Sequence, residues 1–157
     1  KGIVCSVITQ NIDGLHQIAG VPDEKLIELH GNATYASCLD CHKRVSLRDI
    51  RIPFEAEGRL PVCVACGGIV KTATISFGQP MPESAMLKAN KAASVCDLFV
   101  VVGSSLVVYP AAGFPIVAKQ NGAKLIILNR DPTDLDELAD LVINREIGPT
   151  LAAITNT

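Results

Sequence analysis

Two Cys-x-x-Cys pairs, Cys38/Cys41 and Cys63/Cys66, carry the most specific chemistry in the sequence. Four thiolates complete the tetrahedron of a Zn²⁺ ion and leave no position for water, so this spacing predicts one structural zinc per chain. Gly67-Gly68 follow the second pair and let a knuckle turn its backbone amides toward sulfur. Two separate redox pairs are the competing reading. The remaining cysteines, Cys5 and Cys96, lie in or beside apolar strands and read as small hydrophobes, and His42 reads as solvent-facing.

A second group of chemically able residues clusters near the start. The apolar run Ile3, Val4, Val7 and Ile8 leads into Gln10, Asn11 and Asp13, the pattern of a buried strand ending in a functional loop. Asp13 also suits the cap of a short helix reaching about Ala19 and stopping at Gly20. His30 precedes Gly31 at a turn and, taken alone, reads as a hydrogen-bonded structural residue, as does His16. Farther on, Gly103-Ser104-Ser105 combine close backbone approach with hydroxyl and amide donors suited to a phosphate or ribose, though a plain turn has the same composition.

The elements that must position these groups alternate. Strands are expected over residues 2–8, 69–77, 98–102, 124–128 and 141–143, and helices over 83–94, from about Ala111 to Asn121-Gly122, and from Gly148-Pro149 onward. This order predicts an α/β fold with a parallel sheet covered on both faces and ligands beyond the carboxyl ends of its strands. Those ends are Gln10-Asn11-Asp13, Gly78-Gln79, Gly103-Ser104-Ser105 and Asn129-Arg130. Residues 32–72 differ in composition and read as an inserted zinc module, leaving 1–31 and 73–157 as the main domain. Its charged run, Lys43 to Arg51, reads as a solvated loop. With 157 residues, 48% of them hydrophobic, and a mean hydropathy of +0.33, the chain supports one sizeable core and a small satellite. A net charge of −2 gives no global footprint for nucleic acid or an anionic membrane, and no apolar run nears the ~18 residues that span a bilayer. A soluble cytoplasmic protein in a reducing compartment is the expectation.

In this order, Thr9-Gln10-Asn11-Ile12-Asp13-Gly14-Leu15-His16, His30-Gly31, the two cysteine pairs, Phe77-Gly78, Gly103-Ser104-Ser105-Leu106 and Asn129 resemble the sirtuins, NAD-dependent protein lysine deacylases. The resemblance covers nearly the whole chain. It implies a Rossmann-like domain interrupted by a zinc ribbon, with NAD and an acyl-lysine peptide entering between them. Gln10, Asn11 and Asp13 match the pocket for the nicotinamide and its ribose, with Asn11 also catalytic, orienting a water or a ribose hydroxyl. His30 matches the general base, which helps a ribose hydroxyl attack the alkylamidate formed when the acyl oxygen displaces nicotinamide. Nicotinamide, acyl-ADP-ribose and free lysine would leave. Gly103, Ser104, Ser105 and Asn129 match positions that hold the phosphates and adenosine. Phe77-Gly78-Gln79 and Leu106-Val107-Val108 match the two segments between which the peptide lies as an added strand. Many sirtuins carry Glu where this chain has Gln79, which weakens a preference for basic flanking residues. The family's opening strand and Gly-Ala-Gly loop have no match here, so the chain reads as a fragment, inactive alone, with two inner strand edges unpaired. A non-catalytic NAD or ADP-ribose module, or a zinc-stabilised interaction domain, remain the other functional readings.

Overall fold

The computed structural model describes residues 2–155. The chain divides into two compact units, Lys1–Ala85 and Met86–Thr157.

In the first unit β1 (Val7–Thr9) is followed by the single-turn helix α1 (Leu15–Ile18), a 3₁₀ turn at Asp23–Lys25 and β2 (Leu26–Glu28). β1 and β2 pair in parallel from Val7↔Leu26 to Thr9↔Glu28. The strand expected over residues 2–8 is therefore shorter and less buried: Ile3 and Val4 are 78% and 57% exposed. A strand persists only where a partner supplies its ladder, and β2 is three residues long. That brevity also hides β2 in the sequence, since three residues are too few to show a period of two.

β3 (Gly31–Cys38) then forms the centre of an antiparallel sheet of order β4-β3-β5, with β4 (Arg44–Ser46) and β5 (Val70–Thr74) at its sides. The strand expected over 69–77 thus belongs to the cysteine-bearing ribbon and not to a parallel sheet. The residues read as a solvated loop are instead β4 and α2 (Leu47–Glu57). The Ser46 hydroxyl caps α2 by accepting from the Arg48 amide at 3.2 Å, Asp49 sits in the first turn, and Gly58 closes the helix at φ +63°. Pro53 lies inside α2 and disguises it in the sequence. Ala36, Cys38, Cys63 and Val70 make the ribbon's core, with Val45, Leu47 and Ile50 packed against it.

α3 (Glu83–Val95) spans the division in sequence, after which β6 (Leu98–Val102), α4 (Phe114–Gln120), β7 (Lys124–Leu128), β8 (Leu141–Ile143) and α5 (Ile147–Thr155) follow. The three strands form a parallel sheet of order β6-β7-β8. Here the expected strands and the observed ones agree end for end, because each is a continuous apolar run bounded by polar or glycine residues. Val101, Leu106, Ala112, Leu125 and Ile127 form the core. Asp140 fastens α4 to β7: its carboxylate meets the Lys119 ammonium, accepts from the Leu125 amide at 2.8 Å and from Lys124 at 3.0 Å. Those partners, Lys119 foremost, hold its pKa well below the usual carboxylate range. Among the described residues β1 pairs only with β2, and β6 only with β7, so each has one unladdered edge. No helix among them is long and apolar enough to cross a membrane.

Candidate catalytic loop and metal centre

The loop after β1 is built from its own hydrogen bonds. Thr9, only 6% exposed, accepts through Oγ1 from the Asn11 amide at 3.1 Å and meets His16 Nε2 at the same distance. His16 is thereby tied into the loop's support. The Ile12 carbonyl accepts from the Ala33 amide at 2.7 Å, and Asp13 Oδ1 accepts from the Leu15 amide at 3.0 Å; the N-cap of α1 is Gly14, so Asp13 braces the turn from one residue outside the cap position expected for it. Gly14 is needed at φ +73°, where a Cβ would lie 2.8 Å from Thr34 Cγ2. These constraints leave the side-chain amides of Gln10 and Asn11 without protein partners among the described residues, and Asn11 and Asp13 exposed.

His30 joins the same loop from the end of β2. Its Nδ1 lies 3.1 Å from the Gln10 carbonyl oxygen. A carbonyl can only accept, so Nδ1 carries the proton and neutral His30 keeps its lone pair on Nε2, the arrangement a general base requires. The His30 carbonyl in turn accepts from the Ile75 amide at 2.9 Å, which links it to the loop carrying Phe77, Gly78 and Gln79. Gly31 makes that approach possible. At φ +72° a Cβ there would lie 2.0 Å from the Ala73 carbonyl oxygen, a backbone atom that cannot swing aside. Gly31→Ala is expected to destabilise the first unit by on the order of 3 kcal/mol, from left-handed strain and overpacking together. Thermal unfolding checks this, and an unchanged Tm would refute the close crossing of β3 and β5.

In the second unit the register Val102↔Leu128 brings Gly103 and Asn129 out of neighbouring strand ends. The Gly103 amide donates to the Leu128 carbonyl at 3.0 Å; at φ +64° the residue rests over Ile147, whose Cδ1 a Cβ would meet at 2.7 Å. Ser104 Oγ accepts from the Leu106 amide at 3.2 Å, and Asn129 Nδ2 donates to the Asp131 carbonyl at 2.7 Å. Gly103, Ser104, Ser105 and Asn129 are thus one cluster at the carboxyl end of the sheet. Leu106 is buried with φ +57°, and Val107 and Val108 after it are exposed. Arg130 pairs with Asp131 at 3.5 Å.

The cysteine pairs converge as predicted. All four Sγ atoms lie within 4.8 Å of one another, Cys38 to Cys66 at 3.5 Å and Cys41 to Cys63 at 3.6 Å. Zn–S bonds of about 2.3 Å in a tetrahedron put sulfurs about 3.8 Å apart, so the donor set fits zinc and leaves no open position. Two matching knuckles hold it: Cys38 N donates to Lys43 O at 3.0 Å, and Cys63 N to Gly68 O at 2.7 Å. Gly68 is confined, since a Cβ would lie 2.2 Å from Asp40 Oδ2 and 3.0 Å from Cys38 Sγ. As free thiols Cys63 and Cys66 shift in opposite directions. Amides of Ala65 and Cys66 bring Cys63 down to about 7. Cys66 is drawn down by the Gly68 amide, yet the Cys41 and Cys38 thiols and burial push it up to about 12. Four adjacent thiolates need a cation to balance them. His42 is exposed at φ +58° and lies outside the cluster, as expected. Cys5 lies just before β1, beside a strand as expected, but it is exposed and does not act as a buried small hydrophobe.

Sequence reading missed Lys71. Its ammonium donates to Thr74 O at 2.7 Å and to Gln79 Oε1 at 3.0 Å, so it shapes the loop after β5. Only the tight turn at 76–79 hints at such an anchor in the sequence. Thr9, the residue that organises the first loop, was read only as part of a motif.

A family model described as the Sir2 family matches residues 1–110. An NAD-dependent protein deacetylase of Rhodopseudomonas palustris is 57% identical over 150 residues, covering 96% of this chain and 59% of that protein. NAD-dependent protein deacylase 2 of Archaeoglobus fulgidus is 46% identical over 154 residues, covering 98% of this chain and 60% of that protein. A solved structure of Sir2 bound to acetylated peptide aligns with a TM-score of 0.88 at 36% identity, over 96% of this chain and 62% of the other. The chain therefore spans about three fifths of the length of the curated relatives it matches.

Proposed function

The chain belongs to the Sir2 family, and from that premise we propose that it acts in NAD-dependent deacylation of protein lysines, in the cytoplasm. One observation carries the catalytic part: His30 is locked by the Gln10 carbonyl into the tautomer that leaves Nε2 free to take a proton. When bound, NAD supplies the ribose that receives the acyl group and nicotinamide as the leaving group. Half-buried Gln10 and exposed Asn11 and Asp13 offer amide and carboxylate groups for its nicotinamide end, and Gly103, Ser104, Ser105 and Asn129 offer a glycine approach and polar groups for its phosphates and adenosine. The acyl-lysine peptide belongs along Phe77-Gly78-Gln79 and Leu106-Val107-Val108, which are exposed apart from Leu106. Residues 32–72 serve as the zinc module and 1–31 with 73–157 as the NAD-binding domain.

Relatives named as deacetylases and deacylases support this reading, as do solved structures of Sir2 with acetylated and propionylated peptides. The test uses the protein at its native length with NAD and an acetyl-lysine peptide. Nicotinamide release that requires the peptide is expected. NAD binding without release would favour a non-catalytic binding module instead.

A further inference from the structure

β5 alternates its side chains across the ribbon, and Lys71, opposite Ser37, sends its ammonium past the strand's end. There it donates to the Thr74 carbonyl and to Gln79 Oε1. The same Gln79 oxygen accepts from the Ser76 amide at 2.9 Å, and the Gln79 amide donates to the Ser76 carbonyl at 3.0 Å. One side-chain oxygen thus closes the turn and holds the ammonium against it. Among the described residues no carboxylate lies within salt-bridge distance of Lys71. The Gln79 NH₂ group has no partner among them either, and Phe77 between these groups is wholly exposed. The loop therefore presents donors and an unbalanced positive charge.

We propose that the Lys71–Gln79 pair makes this loop select acyl-lysine segments with acidic residues beside the modified lysine. This rests on the reading above that Phe77-Gly78-Gln79 borders the peptide. A neutral Gln79 is essential to it: its oxygen fixes the ammonium without cancelling the charge, whereas a carboxylate at the same position would form an ion pair and leave the loop neutral. A glutamate or aspartate beside the acyl-lysine gains attraction to the ammonium and a hydrogen bond from the Gln79 NH₂ group. A lysine or arginine there meets a like charge.

The experiment measures nicotinamide release by the native-length protein on three acetyl-lysine peptides that carry Glu, Gln or Lys at the flanking positions. kcat/KM is expected to fall in that order, by roughly two- to fivefold per step as suits exposed ion pairs, with the change in KM and its size reduced by added salt. Gln79→Glu is expected to flatten or reverse the order, and Lys71→Met to flatten it. Because Lys71→Met also removes a loop anchor, Gln79→Glu, which keeps that contact, decides the matter if Lys71→Met misfolds. Equal kcat/KM on the three peptides overturns this inference alone. Peptide-independent or absent release on all three overturns the deacylase reading and this inference with it.

Discussion

Replacing His30 with alanine in the native-length protein is expected to lower kcat by roughly a hundredfold or more, the usual cost of losing a positioned general base. The reason lies in one hydrogen bond. Nδ1 is committed to the Gln10 carbonyl, so the whole proton-accepting capacity of the ring sits on Nε2, and among the described residues no other imidazole shares that arrangement. His16 uses Nε2 on Thr9 Oγ1 and belongs to the scaffold beneath the loop. His16→Ala should therefore cost about one hydrogen bond, ~1 kcal/mol of loop stability, and a modest loss of rate. Steady-state kinetics on the two variants beside wild type separate the roles, and equal losses would show that the base has been misassigned.

Removing the metal is expected to cost the ribbon its fold. Cys38 and Cys63 would be ligands and are also half of the small core, alongside Ala36 and Val70, so demetallated sulfurs would repel or protonate inside the only apolar cluster that β3, β4 and β5 share among the described residues. Structural zinc contributes apparent binding energies of about 10–16 kcal/mol in small domains, more than a core of four residues replaces. Metal analysis should return one zinc per chain. Chelation or Cys63→Ser should remove the antiparallel signal in circular dichroism and lower activity only through unfolding. Absence of zinc, or a ribbon that stays folded without it, would overturn the assignment.

The parallel strands of the second unit and the cysteine cluster were legible because each rests on local information: an uninterrupted apolar run in one case, ligand identity and spacing in the other. Other elements depend on partners that sequence does not display. β1 is trimmed to Val7–Thr9 by the length of β2, and β5 is drawn into the antiparallel ribbon by β3. α2 was hidden by Pro53 and by charges that its exposed face carries without cost. Within the site, motif matching named Gln10 and His30, but the carbonyl-to-imidazole bond between them is a fact of tertiary structure. Lys71 had no motif at all; only its reach to Gln79 reveals it.

Leu106 carries two opposed demands at one position. Its left-handed backbone, φ +57°, costs an L-residue about 1–2 kcal/mol, which glycine would recover. Its side chain, buried beside Val101, Ala112, Leu125 and Ile127, contributes about 1.5–3 kcal/mol that glycine would forfeit. Burial outweighs strain, so substitution in either direction is opposed: smaller residues lose the anchor, and β-branched ones of similar bulk worsen the backbone. Such a site resists substitution although it donates no group to chemistry. Its buried side chain, the Leu106 amide donating to Ser104 Oγ and the Val108 carbonyl accepting from the Ala112 amide together anchor the segment on which Val107 and Val108 stay exposed.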